Sequence, residues 1–238
     1  MASEYLKWKY KDVKPEEKRE MTKAEKRKNW WYYHKRHIAV ALVAASLLGS
    51  LLWQALSRVD PDYKVGYVGS FPLPEETSAA LEAAFAALGE DLNGDGQVVV
   101  QISQYTSPSS MDMGEAAVSE VKLIADITEG ESYIFLLEDP ESFQRRYHTL
   151  CRLDGSLPEE DDDSIDGVCL SWGQCPVLAG LELGGYTYEL PDESAAGDSQ
   201  ELLSGLYVAR RGFWTEKPAP LFEGSEALWN RLTEGAVS

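Results

Sequence analysis

From Ile38 to Leu56 the chain reads IAVALVAASLLGSLLWQAL, 19 residues without a formal charge. As a helix the run spans about 29 Å, close to one hydrocarbon core. A surface helix of a globular domain would break such a run with a polar face every turn or two. Charge brackets it. Residues 1–36 hold 12 Lys+Arg and 6 Asp+Glu, a net of +6, while residues 37–238 hold 10 and 34, a net of −24. Lys35 and Arg36 abut the run, and only Arg58 and Lys64 follow it closely. The positive-inside rule then places residues 1–36 in the cytoplasm, a transmembrane helix over 37–57, and residues 58–238 outside. Trp30, Trp31, Tyr32 and Tyr33 on one flank and Trp53 near the other fit rings at headgroup depth. Ala55-Leu56-Ser57 offers small residues to a signal peptidase, but a cleaved signal carries an apolar region of about 7–15 residues behind a short start. The longer run and the 36-residue head favour a retained anchor, with the membrane as a partner through Ile38 to Leu56.

The stretch KNWWYYHKRHIAVALVAASLL, a Lys-rich segment ending in a Trp/Tyr cluster that runs into one apolar helix, resembles the start of uncharacterised single-pass proteins of Gram-positive bacteria. That resemblance implies a plasma-membrane location and carries no activity.

With 44% hydrophobic and 26% charged residues the chain is too apolar for disorder, and residues 60–238 suffice for one domain with a core. Tyr63 to Val68 is a short β-rich run closed by Gly69-Ser70. A helix is expected near Pro74, with Glu75 and Glu76 in its first turn and Leu81, Phe85 and Leu88 as its stripe. Val98 to Ile102 reads as a second strand. Asp112 to Thr128 reads as a second helix packing through Ala117, Val118, Val121 and Ile124, stopped by Gly130. The continuous run Tyr133 to Leu137 is the pattern of a strand covered on both faces, and Asp139-Pro140 caps and starts a third helix towards Tyr147. This alternation predicts an α/β fold, a three-layer sheet domain whose first half is mostly parallel. Residues 152–176 read as an extended loop, Tyr186 to Leu190 and Leu206 to Arg210 as strands with a polar turn from Pro191 to Asp198, and Ser225 to Leu232 as a final helix capped by Ser225.

The run KLIADITEGESYIFLLEDPESF, an amphipathic helix, a glycine stop, an apolar strand and a capped helix, is similar to the first lobe of type 2 extracellular solute-binding proteins of bacteria. The similarity covers about residues 63–150. It implies a strand that delivers the chain to a ligand cleft, and a single lobe, since the 179 residues after the anchor are too few for two.

Asp91-Leu92-Asn93-Gly94-Asp95-Gly96-Gln97 matches the first seven positions of an EF-hand loop, and Asp91, Asn93, Asp95 and Gln97 are the expected Ca²⁺ ligands. Position 12 is Ile102 where the closing Glu belongs, so other segments would have to complete the shell. The plainer alternative is a turn whose Asp and Asn bond their own backbone. Cys169 and Cys175 bracket a loop short enough for one disulfide, leaving Cys151, although pairings through Cys151 stay open. His148 and Cys151 have the i, i+3 spacing of a base and thiol, a weaker reading than a buried thiol beside a surface histidine. The block Glu159 to Asp163 is a solvated acidic run or a face for a basic partner. Arg210, Arg211 and Trp214 form the one basic and aromatic cluster after the anchor, suited to an acidic ligand or partner, or else solvated on an edge strand.

Nucleophile elbows, phosphate loops and zinc-protease motifs are absent, so no catalytic residue is assigned. The acidic body excludes nucleic acid as an expected partner. The expectation is a tethered, non-enzymatic domain that binds an envelope ligand or protein. The alternatives are an assembly subunit of a membrane complex, or a carboxylate enzyme whose site is assembled from scattered acids such as Asp139, Glu138 and the 159–163 block.

Overall fold

The computed structural model describes residues 20–56, 60–106, 113–159, 162, 164–189, 194–212 and 222–237. The chain divides into two units, Met1–Arg58 and Val59–Ser238.

In the first unit, α1 spans Lys23–Leu56. Thr22 begins it, its hydroxyl and amide both bonded to Glu25, which pairs with the backbone in return as a capping box. Val40, Leu42, Val43, Leu47, Leu48, Leu51 and Trp53 are all at least 60% exposed, so protein covers none of these apolar side chains. Among the described residues, no helix is long and apolar enough to cross a membrane; the side chains at 52 and 54–56, the end of the apolar run, lie outside that description.

The second unit is a mixed α/β domain. Its elements are β1 (Tyr63–Gly69), α2 (Glu75–Leu88), β2 (Val100–Thr106), α3 (Met113–Glu129), β3 (Ile134–Leu137), α4 (Pro140–Tyr147), β4 (Cys169–Ser171), a 3-10 turn (Trp172–Gln174), α5 (Pro176–Ala179), β5 (Gly185–Glu189), β6 (Ser194–Asp198), α6 (Ser199–Leu203), β7 (Tyr207–Arg210) and α7 (Phe222–Leu232). The main sheet has the order β2-β1-β3-β7-β4. β1 pairs in parallel with β2 and β3, whereas β7 is antiparallel to both β3 and β4, so four of the five strands share a direction.

Alternation along β3 explains why its sequence is wholly apolar. Ile134 and Leu136 enter one core cluster with Leu81 and Phe85 of α2 and Leu228 and Leu232 of α7. Phe135 and Leu137 enter the other with Leu123 of α3 and Phe143 of α4. Helices therefore cover both faces. Gly66 of β1 lies opposite Phe135, and a Cβ there would stand 2.7 Å from the Phe135 ring, so the ring needs glycine as its neighbour.

Several expectations need correction. The predicted stripe of α3 is outside: Val121 is 68% exposed and Val118 and Ile124 are also exposed, while Ala116, Leu123 and Asp126 face the domain. The helix is apolar on two sides, and periodicity alone cannot say which one the sheet takes. The polar turn from Pro191 to Asp198 contains β6, which pairs with β5 in a separate two-stranded ribbon. The predicted loop 152–176 contains β4, too short at three residues to show a pattern. Ser225 is buried within α7, which begins three residues earlier, at Phe222. β7 is internal, so the expected edge strand is instead flanked on both sides.

Candidate functional site

β1 passes through α2 to β2 on one side, and the chain then returns through α3 to β3 on the other side of β1. The segments leaving β1 and β3 diverge, the first to α2 on one face and the second to α4 on the opposite face. In parallel sheets this reversal opens a crevice beyond the carboxyl ends of the strands. A cleft of about 710 Å³ lies there.

Each strand end contributes. Val68, Gly69 and Ser70 come from the end of β1, Thr106 from the end of β2, and Glu138 and Asp139 from the turn after β3. Leu123 of α3 and Phe143 and Tyr147 of α4 supply apolar surface, with Glu120, Ser142 and Arg146 among them. Glu138 ties the two diverging segments together, its Oε2 accepting the Ser70 N–H. Asp139 caps α4 by accepting the Ser142 N–H at 3.0 Å, and that bond holds its carboxyl below the usual carboxylate range. Arg146 pairs with Glu120 and its guanidinium stands 5.7 Å from the Tyr147 ring centroid. The Ser119 hydroxyl accepts the Thr106 N–H at 2.7 Å, fixing the end of β2 against α3.

The residues singled out from sequence lie elsewhere, apart from Glu138 and Asp139. In the 91–97 turn, Asp91 accepts the N–H of Gly94 at 2.7 Å and of Gly96 at 2.8 Å, Asn93 that of Asp95 at 2.8 Å, and Asp95 that of Gln97 at 2.8 Å. Buried Asp62 anchors the same turn through the N–H groups of Leu92, Asn93 and Val99. Gly94 and Gly96 hold φ of 76° and 85°. These are the bonds of a self-capped turn, and no group of three His, Cys, Asp or Glu that could hold a metal occurs among the described residues. The donor set does not fit a six- to eight-oxygen Ca²⁺ shell without oxygens from elsewhere.

The expected disulfide is not formed, and all three cysteines are free. Cys175 belongs to one core cluster and Cys169 packs against the other, so the sheet separates them. Burial pushes both thiols up, to about 11. Cys151 directs its thiol to the carbonyls of Arg210 and Arg211, and burial raises its pKa as well, which disfavours the thiolate form.

Arg210 is only 6% exposed. It pairs with Glu226 of α7, which also accepts the Tyr133 hydroxyl, and it donates to the Leu153 carbonyl at 2.7 Å. Arg211 donates to the carbonyls of Asp126 and Ile127, closing the C-terminal end of α3. Both arginines serve the interior, which corrects their reading as ligand contacts; Trp214 lies outside the described residues. In the acidic block, Asp162 pairs with Arg152 at 2.6 Å, and 160, 161 and 163 lie outside the description. Asp126 joins the Tyr105 hydroxyl to the Ser132 N–H and hydroxyl, and burial followed by the Asp126 bond raises the Tyr105 pKa.

Sequence reasoning missed Ser70, Thr106, Glu120, Arg146 and Tyr147. A usable signal existed in the polar residues that immediately follow each parallel strand, the positions that face the crevice.

No protein-family model matches the chain, and no solved structure matches it. A 3-phosphoshikimate 1-carboxyvinyltransferase of Alkalilimnicola ehrlichii is 31% identical over 155 residues, covering 60% of this chain and 32% of that enzyme. The chain thus spans about a third of the length of the curated relative it matches.

Proposed function

We propose that the protein is a membrane-tethered, extracytoplasmic domain that binds a small ligand in the cleft at the carboxyl ends of β1, β2 and β3. The observation that carries this is the coincidence of a cleft of about 710 Å³ with the switch point of the sheet, lined by polar groups from three strand ends and two helices. The resemblance of residues 63–150 to a solute-binding lobe agrees with it. The tether is supported by the uncharged run Ile38–Leu56, by the step from +6 to −24 across it, and by an apolar helix surface that no protein covers.

Binding is favoured over catalysis. General-acid catalysis by a carboxyl needs its pKa raised towards neutrality, and Asp139 is shifted the other way by its cap bond. The phosphorylated substrate named for the curated relative is also a poor match, because Glu120, Glu138 and Asp139 outnumber Arg146 in the cleft.

The test is a thermal-shift screen of the full chain in nonionic detergent against amino acids, amines, peptides, sugars and cell-wall fragments. A ligand at 100 times its Kd adds about 2.7 kcal/mol of stability. The expected result is a specific rise in Tm that Ser142→Trp, which puts an indole into the cleft lining, abolishes. A rise unchanged in Ser142→Trp would place binding elsewhere. For the tether, the chain is expected to stay with membranes after alkaline carbonate washing, and its release would remove the anchor.

A further inference from the structure

The cleft carries a charge imbalance on an apolar floor. Glu120, Glu138 and Asp139 face it with three carboxylates against the single guanidinium of Arg146, a local net of −2. That guanidinium is paired with Glu120, which leaves Glu138 and Asp139 as the excess. Glu138 accepts the Ser70 N–H, and Asp139 bonds the Ser142 N–H and hydroxyl and the Glu141 N–H; a carboxylate has about four acceptor positions, so capacity remains on both. Leu123 and Phe143, both buried, and half-buried Val68 and Tyr147 line the same cleft. A cation already stands over the Tyr147 ring, at 5.7 Å from its centroid. Around the site, residues 37–238 carry a net of −24, a field that concentrates cations and repels anions.

These observations separate two kinds of cation. A metal ion wants its oxygens converging on one point, and no group of three metal-ligating side chains is found among the described residues. Carboxylates spread along an apolar floor suit instead a charged group on a hydrocarbon body, with hydroxyls of Ser70, Thr106 and Ser142 at hand for its N–H donors.

We infer that the cleft takes a small organic cation, an amine or guanidinium on an aliphatic body. This rests on the cleft being the binding site.

The test is calorimetry on the full chain in nonionic detergent with a matched five-carbon series: 1,5-diaminopentane, 1,5-pentanediol and glutarate, with CaCl₂ as the metal arm. The diamine is expected to bind at least tenfold tighter than the diol or the diacid, to weaken in 0.5 M NaCl, and to lose about five- to tenfold in Glu138→Gln, the loss of one charge contact. Asp139→Asn, which keeps the helix cap, should lose a similar factor. Ser142→Trp should abolish binding while the free protein keeps a cooperative thermal transition. If the diol, the diacid or Ca²⁺ binds better than the diamine and Ser142→Trp blocks it, the cation inference is overturned and the cleft stands. If the diamine binds unchanged in Ser142→Trp, or if no member of the series binds, the cleft fails along with the inference.

Discussion

β3 has β1 on one side and β7 on the other, and the two neighbours reached it differently. Tyr67 and Leu136 are joined by a strand and two helices of regular period, so the parallel pairing follows from the order of elements along the chain. Leu136 and Val208 are joined by short pieces and a separate ribbon, and their pairing is antiparallel. The parallel side opens the cleft, because reversal of strand order parts the segments above it. The antiparallel side holds the buried pair of Arg210 and Glu226 and the Tyr133 hydroxyl that shares it. One flank borders the cleft, and the other uses its charges to lock α7 to the sheet.

The sharpest way to break this contrast is through Phe135, which is fully buried and packs against Gly66 across the parallel pair. Phe135→Ala is expected to cost about 3–5 kcal/mol in chemical denaturation. A smaller loss than that of Glu226→Ala would make the antiparallel side the keystone instead. Glu226→Ala should cost about 3 kcal/mol, because Arg210 is left charged in the interior with backbone carbonyls and the Trp229 ring but no carboxylate. Losing less than 1 kcal/mol there would mean that the guanidinium reaches water.

Asp139→Ala should cost about 1 kcal/mol at pH 7, a cap effect. Because the Asp139 pKa is lowered in the fold, its contribution is present above the unfolded value of about 3.9 and is lost as pH falls through the lower folded value. Denaturation curves of wild type and variant should converge below about pH 3, and a constant gap would remove the cap as the cause. The smallest effect concerns the 91–97 turn, whose Asp91 carboxylate already accepts the N–H groups of Gly94 and Gly96. Tm is expected to be the same in millimolar Ca²⁺ and in EDTA; a rise abolished by Asp91→Ala would establish the turn as a calcium site.

Much of the first half was legible. Leu81 and Phe85 mark the buried stripe of α2, Asp139-Pro140 marks the start of α4, and the apolar run around Ile134 to Leu137 marks the central strand. All three are local signals with long enough repeats to read. α3 shows the limit of such signals. Its apolar residues occupy two faces, and the choice of Leu123 over Val121 for burial was made by the sheet. In the second half, β4 and β6 are three and five residues long, and Arg210 looks like a surface residue until α7 supplies Glu226.

The sequence by itself determined the uncharged run and the charge step around it, the order of strands and helices to Tyr147, and a turn at 91–97 with two readings, self-capped or Ca²⁺-holding. Each depends on residues close together in the chain, where period, capping and turn chemistry act directly. Only the tertiary structure decided that Cys169 and Cys175 lie on opposite sides of the sheet, that Arg210 and Arg211 serve the interior, and that Glu138 and Asp139 share a cleft with Glu120 and Arg146. Those outcomes depend on which strand pairs with which, a choice set by the packing of distant apolar faces and not by any local pattern.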